Sequence, residues 1–332
     1  MRCAGILAAC LLFASTAQAA ESLIHPINIT DTRPITQVQG LPAFRDPGVV
    51  STPNWNLRFD YDITNHFSHA SSSFEAMYFD GVTQQFSFAA TRGIWGDKEI
   101  TFYVPFIQFS GGTSDAFIEK WHDIFGLPQN GRDKVPRNQL YFIYMKDGKV
   151  KLNLSEPTSG MGDIQIIVAS KFHGHWLTKQ DNLALKTAVK LPTGDSDKLT
   201  GSGSWALSGW FAGDFRTSWF DYPGTTYASL GASVLGQGDI ISDQQRRFVL
   251  FGGVGSGAQV SNKVAIQVQI DMHSPLYSDS VLTEINSFAF LLTFGGTVQL
   301  SNKFDLEIGV VEDLMPHASP DVIFHAGLKT RW

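Results

Sequence analysis

Residues 321–332 read DVIFHAGLKTRW, and counting back by twos from the end sorts them onto two faces. Val322, Phe324, Ala326, Leu328, Thr330 and Trp332 fall on one face; His325, Gly327, Lys329 and Arg331 fall on the other. That is the period of a β-strand with an apolar side and a polar side. A last strand needs a partner, so the rest of the chain has to supply strands in turn.

It does so for most of its length. Phe304, Leu306, Ile308 and Val310 alternate with Asp305 and Glu307, and Val264, Ile266, Val268 and Ile270 with Gln267, Gln269 and Asp271. Near the other end, Leu57, Phe59, Tyr61 and Ile63 oppose Arg58, Asp60 and Asp62, while Ile100, Phe102, Val104 and Phe106 oppose Glu99, Thr101 and Tyr103. Leu183, Leu185, Val189 and Leu191 oppose Lys186 and Lys190; Phe248, Leu250 and Val254 face away from Arg247. Residues 74–92 form one long strand, residues 161–171 restart the pattern after a gap, and 205–215 and 226–235 are glycine-interrupted strands. A last hairpin partner is expected over 285–300. QVSNK at 259–263 and QLSNK at 299–303 are near-copies of one turn, forty positions apart, as repeated up-down pairs require. The count is about twelve strands, an even number, as single-chain bacterial barrels have.

Alternation alone also fits a soluble β-sandwich. Three features favour an all-β, transmembrane, antiparallel up-and-down barrel of about twelve strands. The strands are about ten residues long. Tight turns near Gly93, Ser261 and Ser301 fall on one side, and the long connections after Ser110, Leu191, Leu235 and His273 on the other, the asymmetry of periplasmic turns and extracellular loops. The chain also ends like the closing strand of bacterial outer-membrane barrels, with Phe324, Leu328 and Trp332 as the signal that the barrel-assembly machinery reads.

The beginning agrees. Arg2, an apolar run over 6–13 and Ala17-Gln18-Ala19 make residues 1–19 a cleaved signal peptide, implying export through the inner membrane of a Gram-negative cell to its outer membrane. Cys10 sits in a weak lipoprotein-like box, but cleavage there leaves too short an apolar stretch; with Cys3 it leaves in the signal, and no thiol remains for disulfide, metal or nucleophile. A net charge of -6 argues against nucleic acid as a partner. The 31 glycines and 25 phenylalanines, in a chain of mean hydropathy -0.04, fit short strands and aromatic girdles better than spanning helices. Residues 20–54, with Pro26, Pro34, Pro42, Pro47 and Pro53, cannot be an interior strand. They are either an arm folded into the lumen or a loose periplasmic leader, and the barrel is assigned to 55–332.

One insertion, 110–160, breaks the alternation. Ser114-Asp115 starts a short helix bearing Phe117, Trp121, Ile124 and Phe125, and Asp147-Gly148 turns a hairpin that is expected to stand on the loop and not in the wall. Residues 121–133, WHDIFGLPQNGRD, followed by PRN at 136–138, resemble the signature of an uncharacterised bacterial outer-membrane family, domain of unknown function 3187; SGMGD at 159–163 and LPTGD at 191–195 fit it too. The last motif also resembles strand ends in aromatic-compound channel families. The resemblance implies an outer-membrane barrel and no particular substrate.

Candidate functional residues follow from the faces. Arg58, Asp60, Asp62, Glu99, Lys186, Lys190, Arg247, Asp271, Asp305 and Glu307 are lumen-facing candidates, mixed in sign, because charges on one strand face need water. Phe117, Trp121, His122, Asp123, Arg132, Asp133 and Arg137 are loop candidates, with an internal salt-bridge network as the rival reading. GGVGSG at 252–257 lacks the helix start of a phosphate loop; Gly253, Gly255 and Gly257 share the lumen face and leave room for an aromatic ring or a plug. His173-Gly174-His175 sits at a turn, a poor metal pair. No cofactor and no metal are expected. The outer-loop acids, Asp195 and Asp243 among them, are read as solvated, with cation bridges to lipopolysaccharide as the alternative.

The expected function is a passive channel or uptake protein for small polar or amphipathic solutes, with outer-membrane lipid and lipopolysaccharide as surroundings and the solute unspecified. A closed barrel serving as a surface-binding platform through its long loop is the alternative. A rim hydrolase is the third; His66, His69 and His273 lie near serines, but no spacing singles out a catalytic set.

Overall fold

The computed structural model describes residues 22–332 except 44–45, most of 114–134, 175–180 and 315–321. The signal segment lies outside the described residues. Fifteen strands are present among the described residues. Twelve close into a ring: β1 (Trp55–Ser71), β2 (Glu75–Gly93), β3 (Lys98–Ser110), β7 (Gln165–Lys171), β8 (Asn182–Lys190), β9 (Ala206–Trp219), β10 (Tyr222–Leu235), β11 (Phe248–Ser261), β12 (Val264–His273), β13 (Ala289–Ser301), β14 (Phe304–Asp313) and β15 (Val322–Arg331). Each pairs antiparallel with its neighbours, and β15 pairs with β1 from Asn56↔Arg331 to Asn65↔Val322. The seam extends one residue past the strand ends: Trp55 N–H donates to the Trp332 carbonyl (2.9 Å) and Trp332 N–H to the Trp55 carbonyl (2.8 Å). Over the height of the ring each strand is paired on both sides, which is the condition for strands to cross hydrocarbon.

The faces sort as the alternation predicts. Phe59, Phe86, Phe102, Phe211, Ile266 and Ile308 stay exposed on the outside, whereas Asp60, Asp62, Glu99, Lys186, Asp271 and Glu307 are buried within. A largely apolar exterior with a polar interior is the reverse of a water-soluble protein and matches a barrel solvated by lipid. At the end bearing the tight turns, aromatic rings meet cations: Arg92 lies 4.9 Å from the Trp55 ring centroid and Lys303 4.3 Å from that of Trp332.

Two expectations need correction. The hairpin β4 (Tyr141–Lys146) and β5 (Lys149–Leu154) lies outside the ring of twelve but does not stand free. Strand β2 is 19 residues long, and β3 covers it only from Val82 onward. The backbone groups of Glu75 to Asp80 would otherwise be an open edge; β4 pairs with them. A short strand, β6 (Thr158–Met161), likewise covers the end of β3. The second correction is residue 285: β13 begins at Ala289, and Ile285 is buried in a loop core instead.

That core closes the loop end. Leu199, Ile240, Ile241, Leu276, Leu282 and Ile285 come from three loops and pack with Phe142, Tyr144, Leu152 and Leu154 of the hairpin. Polar ties hold it: Lys151 Nζ bonds Asp243 at 2.5 Å, and Lys146 pairs with Glu75 at 3.0 Å.

Ile308→Arg would put a charge on the outer face mid-strand, so it should lower stability by about 2–4 kcal/mol, while Leu300→Arg beside the turn should cost about 0–1 kcal/mol. Denaturant titration in lipid vesicles measures both; equal costs would contradict a lipid-facing exterior.

Candidate functional site

The interior holds the described residues of 22–50, which rise from the turn end, fold over one helical turn and descend again. Five prolines bar this segment from a ladder, yet its buried backbone groups still need partners. Side chains of the wall provide them. On the rising leg, the Gln269 side-chain amide both accepts from Ile27 N–H (2.9 Å) and donates to the Ile27 carbonyl (3.0 Å), as a strand neighbour would. Gln267 Nε2 donates to the His25 carbonyl, Asn28 N–H to Glu307 and Asn28 Nδ2 to Asp60. At the top, α1 (Pro34–Gln37) begins with proline, whose missing N–H costs nothing in the first turn. Tyr277 OH donates to the Ile35 carbonyl (2.8 Å) and accepts from Gln39 Nε2 (2.9 Å). On the descent, Lys190 donates to the Val38 carbonyl, Gln165 to Gly40 and Lys186 to Gly48, while Val50 N–H donates to Glu99.

Packing complements the polar ties. Ile27 and Ile29 form a buried cluster with Leu291, Val311 and Ile323, and Leu23 and Ile24 another with Tyr227 and Ala265. The wall makes room with glycine: a Cβ at Gly295 would lie 2.6 Å from Ile27 Cδ1, and one at Gly257 3.0 Å from Ile24 Cγ2. Gly255 serves an aromatic neighbour, since a Cβ there would lie 2.4 Å from the Tyr227 ring.

Nine of the ten lumen candidates are buried or half-buried inside. Arg58 pairs with Asp60 (2.7 Å) and with Glu307; His325 Nδ1 lies 2.7 Å from Asp62 and its Nε2 3.0 Å from Glu307. Lys186 pairs with Glu99 (3.1 Å), Lys190 with Asp163 (2.5 Å), and Arg331 with Asp305. Asp271 accepts from Gln269 at 2.6 Å. Arg247 is the exception and is corrected: it precedes β11, is exposed and bonds Gln237 at 2.7 Å. It keeps the inward parity but sits beyond the wall, where a side chain reaches water.

Of the loop candidates, Phe117, Trp121, His122, Arg132 and Asp133 lie outside the described residues. Asp123 is exposed, and Arg137 donates to Glu119 at 2.8 and 2.5 Å, a tie within the loop. Phe324 and Leu328 are half-buried on the outer face and Trp332 is exposed. The residues that bind the arm were only partly named by sequence reasoning. Gln267 and Gln269 share the polar strand faces already recognised, whereas Tyr277, and Asn28 and Asp31 of the arm itself, carried no local signal.

Asp31 anchors the top of the rising leg. Burial works to raise its carboxyl, but the Arg33 guanidinium (2.6 Å) and His273 (3.1 Å) outweigh that and hold it well below the usual range. Asp46 on the descending leg is likewise held low against burial by Lys329, His25 and Lys186. Between the legs, at the turn end, lies a cavity of about 570 Å³ that ends inward against Asn28 and Arg58.

A family model described as "Protein of unknown function (DUF3187)" matches residues 3–332. No curated protein matches the sequence. Among solved structures, the COG4313 outer membrane channel from Pseudomonas putida F1 aligns with a TM-score of 0.58 at 12% identity, over 86% of this chain and 98% of that one. The NanC porin aligns with a TM-score of 0.45 at 8% identity, over 83% and 98%. At such identity the first likeness is one of fold.

At Gly309 a Cβ fits, 3.4 Å from Thr293 Cγ2 and 3.6 Å from Ile27 Cγ2, but a longer side chain overlaps Ile27. Gly309→Leu should therefore loosen the arm and speed amide exchange over residues 24–32 by about tenfold or more, given overpacking costs of about 1–3 kcal/mol; Gly309→Ala should leave it unchanged. Because the Asp31 carboxyl is depressed when docked, its contribution is complete above the undocked value of about 3.9 and lost as pH falls through the docked one. Exchange over 27–33, corrected for intrinsic rates, should be flat from pH 8 to 5 and rise below about pH 4, and Asp31→Asn should flatten that acid limb.

Proposed function

We propose that this chain, which belongs to the DUF3187 family, is a passive outer-membrane channel for small polar or amphipathic solutes, occluded in the present state by its own N-terminal arm. The observation that carries this reading is the water-accessible cavity that runs in from the turn end and stops against that arm. A twelve-strand ring lies between small barrels filled by wall side chains and wide open porins. Here the space is taken by a separate segment instead of by the wall. The arm is held by side-chain hydrogen bonds worth about 0.5–1.5 kcal/mol each and by a few isoleucines, with no strand ladder to the wall. Such a segment can leave without breaking the barrel. The name of the aligned Pseudomonas putida channel supports the same class.

The leader at 1–19, the aromatic terminus and the apolar exterior support an outer-membrane location, with short turns in the periplasm and long loops outside. The inward charges are mixed in sign and most of them are paired, so weak ion selectivity is expected. A second reading, a surface platform, draws on the apolar core that seals the loop end.

Planar-bilayer conductance tests the two. The full chain should be silent or flicker, and a variant lacking residues 22–50 should conduct steadily. Deleting 117–154 should add openings in a channel but remove surface binding from a platform. Silence of the arm-deleted variant and the loop-deleted variant together would sink the channel reading.

A further inference from the structure

Ion pairing around the cavity between the legs of the arm is nearly complete. Arg58 has Asp60 and Glu307, Lys186 has Glu99, Lys329 has Asp46 at 3.4 Å, and Arg331 has Asp305. Two charged residues of its lining are left over. Asp214 and Arg216 lie two positions apart on β9, hence on one face of the strand, and neither joins an ion pair within 4.0 Å among the described residues. Asp214 accepts only from a neutral neighbour, Asn182, through its backbone N–H (2.9 Å) and Nδ2 (3.0 Å). Asn28, lining the same cavity, is 8% exposed, and its Oδ1 is buried with no hydrogen-bond partner among the described residues.

We propose that this cavity binds a small zwitterionic solute of amino-acid size, with Asp214 taking its ammonium and Arg216 its carboxylate. The inference rests on the channel reading and names the solute class for it. Side chains at alternate strand positions rise from Cα atoms about 6.6 Å apart. A molecule whose two charges are about 3 Å apart, held at each end by a charge-assisted hydrogen bond of about 2.8 Å, spans such a pair. A simple anion would find one unpaired cation with a carboxylate two residues away; a simple cation would meet the converse. Each is half-matched. The cavity's volume also falls within the range of small-molecule sites, about 300–1,000 Å³.

Calorimetric titration of the full chain in detergent micelles, with folding checked by the gel shift on boiling, tests the proposal. L-glutamine should bind, and butyrate and butylamine, each carrying one of its charges, should bind about tenfold more weakly or worse, the loss of roughly one hydrogen bond to a charged group. Asp214→Asn and Arg216→Gln should each weaken glutamine by a similar factor. Arg216 is exposed and joins no ion pair within 4.0 Å among the described residues, so its variant keeps the test sound if the Asp214 variant misfolds. Asp243→Asn, on an outer loop, should change nothing. Absence of glutamine binding, butyrate binding as tightly as glutamine, or an unaltered Arg216→Gln variant would overturn the site. Steady conductance of the arm-deleted variant without glutamine binding to the full chain removes the site and keeps the channel. Binding that vanishes in Arg216→Gln, in a protein that never conducts, keeps the site and removes the channel.

Discussion

Every strand of this wall depends on the antiparallel seam between β1 and β15. In hydrocarbon an unpaired N–H or C=O has no water to turn to, so a sheet there is either closed or absent. Ten registered residue pairs close it, and the reciprocal bonds between Trp55 and Trp332 carry the pairing to the final residue. The chain's last residues are thereby tied to the first of its wall.

Closure creates a second requirement. Lining a narrow ring with Arg58, Asp60, Asp62, Glu99, Lys186, Lys190 and Glu307 leaves charges in a confined space, where each needs a partner or water. Cross-strand pairing satisfies much of it. The arm satisfies more: Asn28 bridges Glu307 and Asp60, and the backbone carbonyls of Val38 and Gly48 accept from Lys190 and Lys186. The same bonds meet the arm's own need, since a proline-rich segment cannot pair in a ladder. Arm and wall each supply what the other lacks. Because the exchange is made by side chains, the arm can leave without breaking a ladder bond of the ring, provided water takes over the partners it gives up.

The two ends differ for a physical reason. At the turn end, connections are too short to cover the mouth, and a wet cavity persists there between the legs of the arm. At the loop end, β1 and β2 extend past their neighbours, and their surplus edge recruits β4, around which apolar loop residues gather with Ile35, Val38 and Leu41 of the arm. The arm thus packs into the cap above and borders the cavity below.

Much of this was legible in the chain. Period-two alternation fixes which way each wall side chain points, since a residue slip would invert the whole strand. Hence the inward set could be named from Arg58 to Glu307, and the ring of about twelve counted. Strand limits were less legible, because Ile285 continues an apolar pattern that backbone pairing does not follow. Arg247 shows the same limit: parity gives a direction, not a depth. The course of residues 22–54 was undecided, as an irregular segment has no period to read and its partners lie up to 283 positions away, as Asp46 and Lys329 do. By itself the sequence determined the architecture, because alternation is a local property of neighbouring residues. Only the tertiary structure decided that the arm occupies the lumen, and that Asp214 and Arg216 are left without ion partners at its edge. Those are properties of which distant groups meet, and closure of the ring is what brings them together.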